Sequence, residues 1–143
     1  MKYELVPFHT VAEFIAKNAK RHVDELKEDI VQSMPQIDWE YYLSLSEAGE
    51  CMASIMSLDG EIKGYLVFII MDNPMFKNRK EANSQWVYIF PEHRNCALNF
   101  IKKTNEYLKK LGVDDITYII GNERIGKLLK LAGMKDTHKL WSI

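Results

Sequence analysis

Cysteine occurs only twice in the 143 residues, at Cys51 and Cys96. That is too few for a disulfide framework, and the pair lacks metal-ligand spacing, so two reduced thiols are the simplest expectation. Long hydrophobic runs are missing as well. The longest, YLVFIIM at residues 65–71, is far short of the roughly 18 residues that a membrane span requires. The opening MKYELVPFHT has no basic stretch followed by an apolar one, so no secretory leader is read and a cytoplasmic protein is expected. Charge of one sign is lacking too. Lys+Arg 19 against Asp+Glu 20 gives a formal net charge of -1, which argues against nucleic acid or a membrane surface as partner. There is no linker, repeat or low-complexity tract, and residues 1–143 are read as a single domain.

What is present is an ordered series of periodic segments. KYELVP alternates and stops at Pro7, as a strand does. Thr10 followed by Glu13 has the form of a capping box, and Val11, Phe14, Ile15, Ala19, Val23 and Leu26 then share one helical face. A shorter helix is expected after Asp38, with Trp39, Tyr42 and Leu43 on its buried side and Gly49 as its stop. ECMASIMSL, Asp59-Gly60 and EIKGYLVFIIM predict a hairpin, because Asp-Gly supplies the positive φ angles of a tight turn. MDNPMFKNRKEANSQ reads as a long loop or hairpin tip before the strand QWVYIF. From Ala97 the period becomes helical, with Phe100, Ile101, Thr104, Leu108 and Leu111 in phase and Gly112 as the stop. DDITYIIG is a strand, NERIGKLLKLAG a helix capped by Asn122, and THKLWSI a terminal strand. The order β-α-α-β-β-β-α-β-α-β, with strand 85–90, helix 97–111 and strand 114–121 as a parallel βαβ unit, predicts an α+β protein with a mixed, mostly antiparallel sheet.

This order, the YIFPEHR approach to the long helix, and GNERIGKLLKLAGMK near the end resemble the GCN5-related N-acetyltransferases, the GNAT proteins. HVDE (His22 to Glu25), IDWEYYLSLSEAG and DGEIKGYLVF are similar to small bacteriophage-encoded members. The resemblance implies the GNAT fold, acetyl-coenzyme A as cosubstrate and an amine acceptor, either a small molecule or a protein. In the family, main-chain groups of the strand before the proline pair with the pantetheine arm; here these belong to Val87, Tyr88 and Ile89. The loop that follows wraps a pyrophosphate at a helix N-terminus, where free N–H groups and the helix dipole favour an anion. That places Arg94, Asn95, Cys96, Ala97, Leu98, Asn99 and Phe100 at the cofactor, with Asn122 further on.

Six positions depart from the family pattern. Ala97 replaces the first glycine of the loop, and Asn99 the final small residue. An added methyl at 97 is harmless if φ is negative and costs on the order of 1 kcal/mol if the turn needs a left-handed angle. Asn99 either obstructs the phosphate or donates a hydrogen bond through its amide. Leu129 stands where a tyrosine acid is common, and Gln85 where many members carry a carboxylate base, with Met75 and Phe76 in place of a histidine-tyrosine pair. The catalytic residues are therefore unassigned, with His22 and Glu25 as candidates: spaced i to i+3, they can hydrogen-bond, and a carboxylate-oriented histidine can accept a proton. His22 also lies on the apolar line of its helix, where a structural role is the alternative.

His93 reads as a surface residue, and His9 and His138 as strand-end residues without partners, so no metal site is expected. Lys102, Lys103, Lys109 and Lys110 form a solvated basic face, and KNRK at 77–80 a solvated loop tip. Trp39, Tyr41, Tyr42, Trp86 and Tyr88 are either core or the walls of an acceptor cleft. Two functions follow: N-acetyl transfer by direct attack of an amine, or a GNAT-like protein that has lost transfer and works by binding, for instance as a phage component.

Overall fold

A computed structural model describes residues 1–26, 37–119 and 123–136; the side chains of Lys20 and of residues 22–26 fall outside that description. The chain begins with β1 (Lys2–Pro7), then a 3₁₀ turn at Phe8–Thr10 and helix α1 (Ala12–Leu26). The expected capping box does not form. The Thr10 hydroxyl turns back to donate to the Pro7 carbonyl at 2.7 Å, because the 3₁₀ turn delays α1 until Ala12. Glu13 instead pairs with Lys17 one turn on.

Helix α2 (Trp39–Glu47) starts where its sequence indicates, the Asp38 carboxylate accepting the Tyr41 N–H at 3.1 Å. Gly49 follows its end, and β2 (Cys51–Leu58) and β3 (Glu61–Asp72) form the expected hairpin. Its turn needs positive φ at two successive residues, and Asp59 and Gly60 have φ of 52° and 80°, the type I′ pattern. β4 (Lys80–Ile89) then runs back along β3, so the polar stretch after Met71 is a hairpin tip and its second half is strand.

A 3₁₀ segment (Pro91–Cys96) leads into α3 (Ala97–Lys110); β5 (Asp115–Thr117) and α4 (Glu123–Leu131) complete the described elements. Leu111, in phase with the apolar face of α3, is 52% exposed because the helix has ended at Lys110 and the chain is already turning. The expected cap Asn122 and terminal strand 137–143 lie outside the described residues, as does His138.

The sheet has the order β1-β2-β3-β4-β5, antiparallel except for the parallel pair β4–β5. This mixed α+β architecture is the one expected from the sequence. One face packs Leu66, Phe68, Phe100, Leu108 and Val113 beneath α3. The other packs Phe8, Ile15, Tyr65, Val67 and Tyr88 against residues of α1 and α2. Gly64 leaves room for tight packing beneath α3, since a methyl there would lie 3.2 Å from Met56 Cε and 3.3 Å from Phe100 Cε2. In the first core, Thr104 Oγ1 donates to the Phe100 carbonyl at 2.7 Å and receives Ser54 Oγ at 2.6 Å, satisfying two buried hydroxyls and pinning α3 to β2.

Candidate functional site

The register of β4 creates the site. Opposite β3, Trp86 pairs with Val67 and Ser84 with Phe68, so Gln85 is the extra residue of a β-bulge. Before the bulge, Ala82 and Ser84 lie on the α3 side. Beyond it Trp86 and Tyr88 pack on the α1/α2 side, while Val87 and Ile89 take the α3 side. On its other edge β4 is paired to β5 only through Glu81, Asn83 and the residue between them. The Ile119 N–H goes to Ser84 Oγ at 2.8 Å instead of to a β4 carbonyl. Among the described residues, β4 beyond Asn83 therefore has an open edge.

Alternation along the ladder identifies the groups on that edge. Phe90 donates its N–H to the Lys63 carbonyl at 2.9 Å, so Phe90 and Tyr88 face β3, and the main-chain groups of Val87 and Ile89 face away from it. Arg94 Nε donates to the Ile89 carbonyl at 3.1 Å, which ties the following loop to this edge and confirms that the carbonyl points outward. The Val87 and Ile89 amides share the same direction. Tyr88 contributes to the opposite core, where it is 4% exposed.

At the end of the open edge the chain enters α3. Ala97 has φ -58° and ψ -43°, an ordinary right-handed helical conformation, so the methyl that replaces a glycine hydrogen introduces no strain. It points inward, leaving Ala97 2% exposed within the core. The Ala97 N–H is taken by the Arg94 carbonyl. The N-cap residue, Cys96, makes no side-chain cap bond to α3, so its side chain does not compete for the amides of the first turn. Asn99 is exposed, and among the described residues its carboxamide makes no hydrogen bond.

Gln85 and Leu129, at the positions where the family commonly carries its base and its acid, are structurally engaged. Gln85 Oε1 accepts from the Tyr42 hydroxyl at 3.0 Å, while its Nε2 donates to the Asn83 and Ser84 carbonyls, each at 3.3 Å. Burial, then the neighbouring Cys51, Tyr41 and Asp38, raise the Tyr42 pKa above that of a free phenol, which keeps its proton in place. Leu129 is 8% exposed and packs inward. Tyr118 donates to Asn105 Oδ1 at 2.7 Å, away from the open edge, and burial raises its pKa too. The side chains of His22 and Glu25 lie outside the described residues.

Other expectations divide. His9, read as partnerless, bonds through both its N–H (2.9 Å) and Nδ1 (2.8 Å) to the hydroxyl of buried Ser46, latching the first 3₁₀ turn to α2. Lys102, Lys103, Lys109 and Lys110 are exposed, Lys103 and Lys110 both meeting Glu106. Met75 and Phe76 are 81% and 61% exposed at the hairpin tip. No group of three or more His, Cys, Asp or Glu able to hold a metal is found among the described residues, and no described helix is long and apolar enough to cross a membrane. A cavity of about 640 Å³ between Lys2, Val6, Ile55 and Ile62 contains none of these positions.

The two cysteines differ. Burial pushes the Cys51 thiol up to about 12, whereas Cys96 is only partly buried at the head of α3. An aromatic disulfide reagent on the native protein is expected to release one thiol equivalent rapidly, with the second appearing only on unfolding. Two fast equivalents would contradict this burial.

A mixed sheet splayed between two parallel strands, a bulge in the first of them and a helix N-terminus at the mouth of the splay define the GNAT fold. Solved structures share it over the full chain. A ribosomal-protein-alanine N-acetyltransferase from Brucella melitensis biovar Abortus 2308 superimposes with a TM-score of 0.71 at 14% identity, covering 100% of this chain and 99% of its own. A predicted acetyltransferase with acetyl-CoA from Clostridium acetobutylicum gives a TM-score of 0.73 at 14% identity, covering 99% and 94%. An aminoglycoside acetyltransferase from an uncultured soil metagenomic sample gives 0.69 at 18% identity, covering 100% and 98%. No protein-family model and no curated protein matches the sequence.

Proposed function

We propose that this protein is an acetyl-coenzyme A-dependent N-acetyltransferase in which an amine attacks the bound thioester directly. The observation that carries this reading is the open edge of β4 running into an α3 N-terminus without a side-chain cap, at an alanine in right-handed helical conformation. The Val87 and Ile89 amides would hold the pantetheine arm, with the Ile89 amide set to polarise the acyl carbonyl. Arg94 to Phe100 would surround the pyrophosphate, with the Leu98 and Asn99 amides as donors and Asn122 beyond them. Bound there, acetyl-coenzyme A supplies an acyl thioester: the amine nitrogen bonds to the acyl carbon, the carbon–sulfur bond breaks, the amine gives up a proton and the thiolate leaves.

Two contacts of this chain would serve that exchange. Arg94, through the Ile89 carbonyl, fixes the loop against the edge it must serve. Tyr42 and Gln85 lock α2 onto the bulge, so the cleft wall is in place before an acceptor arrives. Because Gln85 cannot accept a proton and Leu129 cannot give one, the amine must arrive unprotonated or lose its proton to another group, for which His22 with Glu25 is the candidate. A thiol with an ordinary pKa near 8.5 leaves as thiolate unaided. The cytoplasm, where the cosubstrate is made, is the matching location, and the likeness to small phage-encoded members belongs to the same reading.

The second reading, a GNAT-like protein that binds without transfer, is favoured by the engagement of Gln85 with Tyr42 and the burial of Leu129. Two measurements separate them. Acetyl-coenzyme A at a hundredfold excess over Kd should stabilise the native state by about 2.7 kcal/mol, read as a rise in melting temperature. Free thiol should then appear with a panel of primary amines. A shift without thiol release points to a cosubstrate-binding protein that is not a transferase, and no shift at millimolar cosubstrate favours the binding-module reading over the transferase.

A further inference from the structure

On the α1/α2 side of β4, upstream of the bulge, lies a row of polar side chains where a core strand would place apolar ones. Ala82 and Ser84 face α3, so by alternation Glu81 and Asn83 face the other way, in line with Gln85 and then Trp86. All four are partly buried. The row is built: Glu81 Oε2 accepts from Asn73 Nδ2 at 3.2 Å and Oε1 from Asn83 Nδ2 at 3.4 Å. Gln85 bonds to the Asn83 carbonyl, and Tyr42 closes the row at the bulge. Behind the Tyr42 end stands an aromatic wall, with Tyr42 and Trp86 centroids 4.6 Å apart and Trp39 and Trp86 centroids 5.8 Å apart.

Among the described residues the charge on this row has no cationic partner. No Lys, Arg or His among the described residues ion-pairs with Glu81. Arg79, its neighbour but one, is committed to Asp115, with Nη2–Oδ1 at 2.8 Å and Nε–Oδ2 at 3.0 Å. Asp115 is also the β5 residue registered opposite Glu81. A partly buried carboxylate whose hydrogen bonds among the described residues come from two neutral amides still has acceptor capacity, and a cation is the partner that complements its charge.

We infer that the Glu81–Asn83–Gln85 row is the acceptor subsite and that it takes a cationic amine carrying at least one further positive charge, held at Glu81 with its body along the amides toward Trp86 and Tyr42. The inference rests on the transferase reading and names the acceptor class for it. Glu81 stands four residues upstream of the bulge, about 13 Å along an extended strand, so the two charges must be separated by a flexible or extended spacer. The aromatic faces at the other end suit an ammonium or an apolar spacer equally well.

The test is isothermal titration of the full chain with a triamine, spermidine, and a monoamine, butylamine, with and without coenzyme A. Spermidine is expected to bind about tenfold more tightly than butylamine at low salt. The charge-removing, shape-preserving change Glu81→Gln should bring the two within about twofold of each other, and molar salt should do the same to the unaltered protein, which keeps the test independent of how well the variant folds. Equal affinities for the two amines, or a preference that survives both Glu81→Gln and salt, overturns the inference. A coenzyme A melting shift without triamine preference removes this subsite alone. Glu81-dependent triamine binding without any coenzyme response keeps the cation site and removes the transferase reading.

Discussion

Replacing Asn99 with aspartate is expected to move stability and coenzyme binding in opposite directions. A carboxylate in the first turn of α3 interacts favourably with the helix dipole, adding about 0.3–1 kcal/mol to the protein alone. If the same turn holds a pyrophosphate, that carboxylate sits beside two further negative charges, and even at a surface dielectric the repulsion is worth at least about 1–2 kcal/mol, roughly a tenfold loss of affinity or more. Asn99 is exposed and makes no hydrogen bond among the described residues, so the substitution breaks none there. Thermal melting of Asn99→Asp with and without acetyl-coenzyme A reads both effects at once. A variant that gains stability and keeps its affinity would mean that the ligand does not lie at this helix end.

The second large effect is on the fold. Phe100 is fully buried, stacks on Tyr3 with ring centroids 5.8 Å apart, and anchors the first turn of α3 against the sheet at Gly64. Phe100→Ala removes that packing and leaves a cavity which the strand and helix around it cannot collapse to fill, at a cost of about 3–5 kcal/mol. For a chain of this size the melting temperature should fall by roughly 10–20 °C. A loss below about 1 kcal/mol would show that α3 is not seated by Phe100.

Much of this arrangement was legible in the residues because punctuation and period agreed. Asp38 capped its helix, Asp59-Gly60 made its turn, and Phe100, Ile101, Thr104 and Leu108 lie buried in phase along α3. The failures have physical causes. Lys80 to Ser84 do not read as a strand because one face carries Glu81 and Asn83 and the other the small Ala82 and Ser84, so neither presents an apolar alternation. The same stretch carries the polar row on the α1/α2 side of β4. The bulge at Gln85 shifts the parity of β4, which no local propensity announces. β5 is shorter than its apolar run because the Ile119 N–H leaves the ladder for a serine hydroxyl. Thr10 and Glu13 carry a capping-box pattern, yet a hydroxyl can turn either way and here it turned back to Pro7.

Of the candidate site, the loop and the edge strand were legible through the family resemblance. Two things were not. Whether Ala97 is tolerated depended on a dihedral angle that a sequence does not print, and it proved right-handed. The replacement of a base by Gln85 reads from sequence as a loss alone, whereas its carboxamide uses an acceptor toward Tyr42 and a donor toward two carbonyls of the bulge. A glutamate would supply only the first of these.

The acyl-transfer reading requires that main-chain amides at the head of α3, and along the β4 edge left open among the described residues, take the ligand. Amide ¹H–¹⁵N spectra of the protein titrated with coenzyme A report on those groups one by one. Saturable movement of the Val87, Ile89, Leu98 and Asn99 resonances, with β1 and β2 unmoved, is the predicted result. Binding that leaves these four in place, or the lack of any binding, would contradict the account.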